Sequence, residues 1–542
     1  MFGDAGAVTG LKNKGGFGMR RRMVLQGGAA AVTTRFAIAQ PANQRILKFV
    51  PQASLTLLDP VFTTAQPTVN HGWAIYDLLF GIDAKLEAKP QMAEGFALSD
   101  DGRTYLIRLR DGLRFHNGEP VRAQDCAPSL ARWARRETIG QTVWQYVESC
   151  AAHDDRTLKI VLTQPIPLFI EAIARGGASV AFMMPEHVAK TDPFRQINDT
   201  TGSGPYKFIP GEFVAGAHAA YARNEAYVPR REAAEWMIGG KVAHFDRIEW
   251  RVIPDSATAA AALQSGEVDW YEQAQADLVP MLRANPAIRI GSHNPTGYNG
   301  AMRFNHLHPP FDNVKVRRAV MMAANQTDYM SAVTGGETAG YQTCKSVFPC
   351  GSRYGQDIGA EAMQGDITKA RRMLAESGYN GEKAVLINPT DLTSVGPLGD
   401  VTYDIMRKIG INVEMVATDW GTVVQRRVSR EPVEKGGWSV LHTWGPSTIR
   451  YTPVEHSQIR GLGATGWFGW YKDDTMEALT RNFIEALDPA ARDATAMEIQ
   501  KRAFEMVPYV PLGTFQIHSA YRANLTGVIE ATGPYFWNVR RV

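Results

Sequence analysis

The stretch DVTYDIMRKIGINVEM, residues 400–415, constrains the fold more than any other part of the chain. Val401, Ile405 and Ile409 form the stripe of an amphipathic helix. Gly410 stops that helix, and Ile411, Val413 and Met415 then alternate as a strand. A helix that runs straight into a strand, and does so repeatedly, is the pattern of an α/β chain. FDNVKVRRAVMMAANQ sets Val316, Ala319, Val320 and Ala323 on one face behind a cap at Asp312 or Asn313. DITKARRMLAESGY starts at Asp366, stripes Ile367, Ala370 and Leu374, and ends at Gly378. SATAAAALQSGEVDWY is expected to cap its helix with Ser256, pack Ala259, Ala260 and Leu263, and break at Gly266 before a strand at Val268 and Trp270. TYLIRLRDGLRFH predicts a hairpin: Tyr105, Ile107 and Leu109 on one face, a turn at Asp111-Gly112, and a return through Leu113 and Phe115.

The N-terminus follows a different logic. Arg20, Arg21 and Arg22 precede Met23 to Thr34, a run of only twelve uncharged residues that includes Gln26 and two glycines. A membrane span needs about 20 predominantly apolar residues. The run instead fits an export signal, with a basic front, a short apolar middle and a small-residue cut after Ala37-Ile38-Ala39. Arg21-Arg22-Met23-Val24-Leu25 resembles a twin-arginine signal, and Met19 is an alternative start. Residues 1–39 are therefore read as a leader addressing the chain to the periplasm, leaving Gln40 first.

That leader holds six basic side chains against Asp4, a net of +5, whereas the whole chain is +3. The remaining body is therefore about −2, counting side-chain charges at neutral pH. A near-neutral body has no electrostatic footprint for nucleic acid or an anionic membrane. The whole chain's 44% hydrophobic content suffices for large cores. Four cysteines in an oxidising compartment allow three pairings, and Cys344 with Cys350, flanking the loop CKSVFPC, is the favoured local one. Cys126 and Cys150 remain.

Two motifs imitate chemistry. GLGATG, Gly461 to Gly466, spells G-x-G-x-x-G, but polar HSQIR precedes it and an aromatic loop follows it. A dinucleotide site needs a strand before and a helix after. His306 and His308 in FNHLHPPFD are spaced like metal ligands but have no acidic or thiol partner nearby, and a zinc site takes three or four ligands. No cofactor, metal or catalytic site is assigned. The aromatic residues stand out instead, with tryptophans gathered between Trp420 and Trp470. Trp438, Val440, His442 and Trp444 share one face of an expected strand, and Trp444 falls at its end before Gly445-Pro446. Ligands in open α/β sheets bind beyond the carboxyl ends of strands.

Several longer blocks resemble one family. AKPQMAEGFALSDDGRTYLIRLRDGLRFHNGEPVRAQDC is similar to the signature of the extracellular solute-binding proteins, family 5, the peptide-, oligopeptide- and nickel-binding subunits of ABC importers. TGSGPYKF, FDRIEWRVIPDSATAAAALQSGEVDW, PFDNVKVRRAVMMAANQTDYM and GWFGWYKDD match further landmarks in order. The resemblance implies an α/β, two-lobed periplasmic binding protein with mixed sheets and a large extra subdomain in lobe one, closing on ligand. It places lobe one at residues 40–295, completed by 507–542 with VPYVPLGTF, and lobe two at 296–506. Its partners would be a peptide or other small solute and the permease subunits of an importer; a monomer without enzymatic activity is expected.

The ligand-binding residues expected on this basis are Tyr298, Trp420, His442 and Trp444 from lobe two, facing Asn70 and His71 from lobe one. His442 reads equally well as a core histidine. The dipeptide-binding members carry an aspartate for the ligand amine after the strand-ending Trp and an arginine for its carboxylate upstream. Here Trp444-Gly445-Pro446-Ser447-Thr448 has no acid and INPTDLTSVG has no base. Two other readings remain: an exported cofactor-dependent enzyme, and a ligand-sensing partner of a chemoreceptor.

Overall fold

A computed structural model of the chain describes residues 45–175, 179–292, 294–486 and 488–542. The expected leader at residues 1–39 lies outside them. Two large mixed sheets organise the rest. The first has seven strands in the order Tyr206–Phe208, His218–Arg223, Arg247–Arg251, Ile46–Val50, Trp270–Ala274, His518–Arg522 and Ile288–Ser292. Ile46–Val50 runs parallel to both its neighbours, and the other pairings are antiparallel. The second has six strands: Tyr341–Gln342, Tyr509–Phe515, Tyr298–Phe304, Val440–Pro446, Ala384–Pro389 and Val413–Thr418. A separate antiparallel sheet of four, Ala93–Leu98, Thr104–Leu109, Thr157–Leu162 and Val147–Ala152, forms a subdomain on the first lobe, with the helix Ala123–Ala134 against it.

The chain crosses between the two large sheets from Ser292 to Tyr298 and again from Phe515 to His518. The second crossing corrects the expected boundary. VPYVPLGTF is expected in the first lobe, yet Tyr509–Phe515 pairs with Tyr298–Phe304 inside the second sheet. The return to the first sheet begins only at His518. Conversely, the segment 454–503 lies between strands of the second sheet but sends Val454, Ile459, Phe483, Ile484 and Ile499 into the apolar core of the first lobe.

Local signals explain most helices. Asn313 accepts from the Lys315 amide and Asp366 from the Lys369 amide, at the starts of Val314–Ala323 and Ile367–Ala375. Gly410 ends Gly396–Ile409 at φ 101°, in the left-handed region that favours glycine. The cap of Ser256–Ser265 is Asp255 rather than Ser256, its carboxylate accepting from the Thr258 amide. The expected hairpin does not form. Tyr105, Ile107 and Leu109 are buried on one face, but their strand pairs with Ala93–Leu98 and Thr157–Leu162. Arg114 instead bridges to Pro120, while Leu113 and Phe115 turn into the core.

TGSGPYKF packs against the end of the helix Gln66–Ile75. The Gly204 amide donates to the Ile75 carbonyl at 2.9 Å. A Cβ on Gly202 would stand 1.8 Å from that same oxygen, so only glycine fits. Asp59, fully buried, holds the Arg132 guanidinium at 3.1 and 2.7 Å and accepts from the Ile197 amide, fastening three segments of the first lobe. Cys344 is disulfide-bonded to Cys350, and Cys126 and Cys150 are free.

Candidate functional site

A cavity opens where the edge of the first lobe meets the second sheet. Gln52, Thr64, Gln66, Val69 and Trp73 come from the first lobe; Trp420, Arg427, Trp444, Arg450 and Trp467 come from the other side. Its free volume is about 80 Å³, room for a few waters, whereas small-molecule pockets are typically about 300–1,000 Å³. A second void of about 510 Å³ lies by the crossing at Gln516–His518, bounded by Gln273–Asp277 and Asn388–Thr390. The two share Leu392. Aromatic rings, cations and unpaired polar atoms converge on the first.

Trp444 lies within the strand Val440–Pro446, opposite Gly300, rather than at its end. Pleating sends Leu441 and Thr443 towards the cleft side, and Val440 and His442 towards the helices of the second lobe. Trp444 is only partly buried, and its indole N–H donates to Ser394 Oγ at 2.9 Å. Ser394 in turn donates to Gln273 of the first lobe at 3.0 Å, and Gln273 reaches Gln52 at the cavity wall. A chain of hydrogen bonds thus links the two lobes to the cavity's principal aromatic. Trp420 opens the helix Trp420–Arg426, capped by Asp419, with its own amide donating to Asp391.

Of the six expected residues, Trp420 and Trp444 line the cavity. Tyr298 is buried directly behind, edge-on to Trp444 with ring centroids 4.6 Å apart. Asn70 sits one layer back: it accepts from Gln66, which lines the wall, and donates to buried Glu272 at 2.7 Å. His71 is a core residue, with Nδ1 2.9 Å from the Tyr221 hydroxyl and its ring against Phe208. His442 is also core, bonded through Nε2 to Thr402 at 2.7 Å. Burial pushes both imidazoles down to about 3, so they are neutral. Neither histidine lines the cavity.

Sequence reasoning missed the cations. Arg427 and Arg450 both line the cavity and are only 2% and 3% exposed. Arg427 lies over the Phe468 ring at 4.5 Å and reaches the Thr64 hydroxyl at 3.2 Å, while its Nε has no partner. Burial pushes its pKa down to about 9, which leaves it charged at neutral pH. Arg450 rests 5.7 Å from the Tyr509 ring centroid, and burial lowers its pKa too. Among the described residues neither forms a salt bridge. Trp420 Nε1, His456 Nδ1 and Gln458 Oε1 are further buried polar atoms on this wall without partners.

The motifs that imitate chemistry have other settings. Gly461–Gly466 folds around a short turn beside Lys472 and Asp473, with no strand leading in. His306 faces the Pro508 carbonyl, and His308 that of Arg430.

Two lobes joined by paired crossings hold an aromatic and polar cavity between them. The chain belongs to the bacterial extracellular solute-binding proteins, family 5, whose middle-region model matches residues 87–451. It is 37% identical over 494 residues, 90% of this chain and 92% of the relative, to the probable peptide ABC transporter periplasmic-binding protein y4tO of Sinorhizobium fredii. It is 27% identical over 507 residues to the glutathione-binding protein GsiB of Escherichia coli K12, covering 88% and 90% of the two chains. Among solved structures, the agropinic acid complex of AgaA from A. tumefaciens R10 matches with a TM-score of 0.77 at 20% identity, over 92% of this chain and 99% of that one.

Proposed function

We propose that this chain is the periplasmic substrate-binding component of an ABC importer, capturing a peptide or peptide-like solute in the cavity between its lobes. The observation that carries the reading is the convergence of Trp444 and Trp467 with four side chains that keep an unpartnered buried polar atom, Trp420, Arg427, His456 and Gln458, on one interlobe wall. Buried polar groups are normally satisfied, so such a set signals a ligand's place. The names of the relatives support the class: one is a probable peptide carrier and another binds glutathione. At about 80 Å³ the cavity must widen to admit a solute of that size, which the two crossings at Ser292–Tyr298 and Phe515–His518 allow as hinges. Ligand then stabilises whichever closed form it fits best, the form a permease reads.

Delivery by a twin-arginine leader, a monomeric state and the absence of enzymatic activity belong to the same proposal. No helix among the described residues is long and apolar enough to cross a membrane. The test is a thermal-shift screen of the purified chain against dipeptides, tripeptides, longer peptides and small carboxylates. A saturating ligand present at 100 times its Kd should stabilise the fold by about 2.7 kcal/mol. Trp444→Ala should abolish the shift while leaving the unliganded protein folded. No shift with any solute in the screen would overturn the reading.

A further inference from the structure

The cavity wall is electrostatically one-sided. Arg427 and Arg450 contribute two buried guanidiniums, and among the described residues no aspartate or glutamate lines the space. The nearby carboxylates are engaged elsewhere. Asp391 accepts from the Trp420 amide, Asp419 caps the helix that follows it, and Glu272 accepts from Asn70 and the Gln52 amide. Glu455, adjacent in sequence to His456, is held by Arg175 at 2.6 and 2.7 Å. Arg303 and Arg317 are likewise buried without an acid, but their guanidiniums donate to backbone carbonyls of Phe468, Gln458 and Pro508 and of Val507, Phe311, Asp312 and Met506. The Arg427 Nε–H, by contrast, has no partner, and leaving a buried donor unpaired is costly.

The orphaned atoms divide by type. Arg427 Nε–H and the Trp420 indole N–H can only donate, and their residues adjoin, with the guanidinium 5.9 Å from the Trp420 ring centroid. The Arg450 guanidinium has no hydrogen-bond partner among the described residues and supplies further donors. These donors call for oxyanions. Gln458 Oε1 is an acceptor, and His456, whose Nε2 meets the Val347 carbonyl at 2.9 Å, keeps Nδ1 as one. Neutral N–H groups such as amides satisfy those acceptors. A free ammonium would meet two like charges and no carboxylate.

We propose that this cavity selects a doubly anionic, carboxylate-bearing solute with amide N–H groups and no free ammonium, one oxyanion held by Arg427 with Trp420 and the other by Arg450. The proposal rests on the solute-binding reading and narrows its ligand class to N-blocked acidic peptides and compounds of like chemistry. A zwitterionic dipeptide, whose ammonium needs an acid, is the wrong shape of charge for this wall.

The experiment is calorimetric titration of the full chain with three matched probes: N-acetyl-Ala-Glu, Ala-Glu with a free amine, and N-acetyl-Ala-Gln-amide. The blocked dianion should bind at least ~10-fold tighter than either of the others, since charge-assisted bonds to each guanidinium are lost or opposed in them. Arg427→Gln and Arg450→Gln should each weaken the dianion more than the neutral probe and so shrink that ratio, a change of selectivity that a merely structural role would not produce. If Ala-Glu or the neutral amide binds as tightly as the dianion, the charge assignment is overturned while the solute-binding reading stands. Absence of binding by the dianion at ~10 mM overturns it as well; the peptide and carboxylate screen then shows separately whether the cavity binds any solute.

Discussion

At the scale of single residues, buried charge divides into groups that serve the fold and groups that serve the cavity. Arg132 with Asp59 and Lys241 with Asp77 are buried ion pairs that fasten the first lobe, whereas Arg427 and Arg450 have no acid. Glu137 belongs to the fold. Its Oε2 accepts from the Ser179 amide at 3.0 Å, yet burial outweighs that bond and pushes its pKa up to about 8. A carboxyl whose folded value lies above its ordinary 4.5 favours the folded state fully below 4.5 and loses that contribution as pH rises through 8. Glu137→Gln should therefore match the native chain at pH 4.5 and exceed its Tm at pH 8, read by thermal unfolding at the two pH values. A Tm gain that does not grow with pH would contradict the assignment. The sequence made Trp420 and Trp444 legible because tryptophans gathered within one stretch of the chain stand out. It hid the cations because an arginine in a sequence reads as solvated. Arg450 lies just beyond the Trp444–Thr448 stretch that lacks an acid, and nothing local marks it as desolvated.

At the scale of elements, helices are set by local signals and strand pairing is not. Helix stripes, caps and left-handed glycines depend on residues within a turn of one another, so Val314–Ala323, Ile367–Ala375 and Gly396–Ile409 emerge near their expected bounds. Strand partners are chosen over long range. Thr104–Leu109 alternates like a hairpin arm, but its neighbours are a strand just upstream and another some fifty residues downstream. Tyr509–Phe515 likewise joins the second sheet because Tyr298–Phe304 offers it a free edge, a fact no window of sequence contains. The Gly202 turn shows how tightly one element constrains another. Gly202→Ala would drive a methyl group into the backbone carbonyl of Ile75, with the Tyr76 ring 2.9 Å away. A loss of about 3 kcal/mol or more is expected, by analogy with overpacked cores, measured by urea denaturation. A change below about 0.5 kcal/mol would mean that the turn is looser than described.

At the scale of the molecule, the two lobes were legible and their seam was not. The resemblance anticipated two α/β lobes, but the crossing at Phe515–His518 and the packing of residues 454–503 into the first core come only from the structure. That interleaving has a mechanical consequence. The Gln52–Gln273–Ser394–Trp444 chain and the contact of Arg427 with Thr64 both span the seam, so the cavity wall itself holds the lobes together. Separation for ligand entry breaks these bonds, and a bound solute must replace them. The most direct test is native mass spectrometry of the chain purified from its source compartment without refolding. A discrete small molecule that leaves on denaturation, and whose loss follows Trp444→Ala, is the expected result. A covalently attached group or a redox cofactor that survives unfolding would contradict the account and turn the cavity into an enzyme's site.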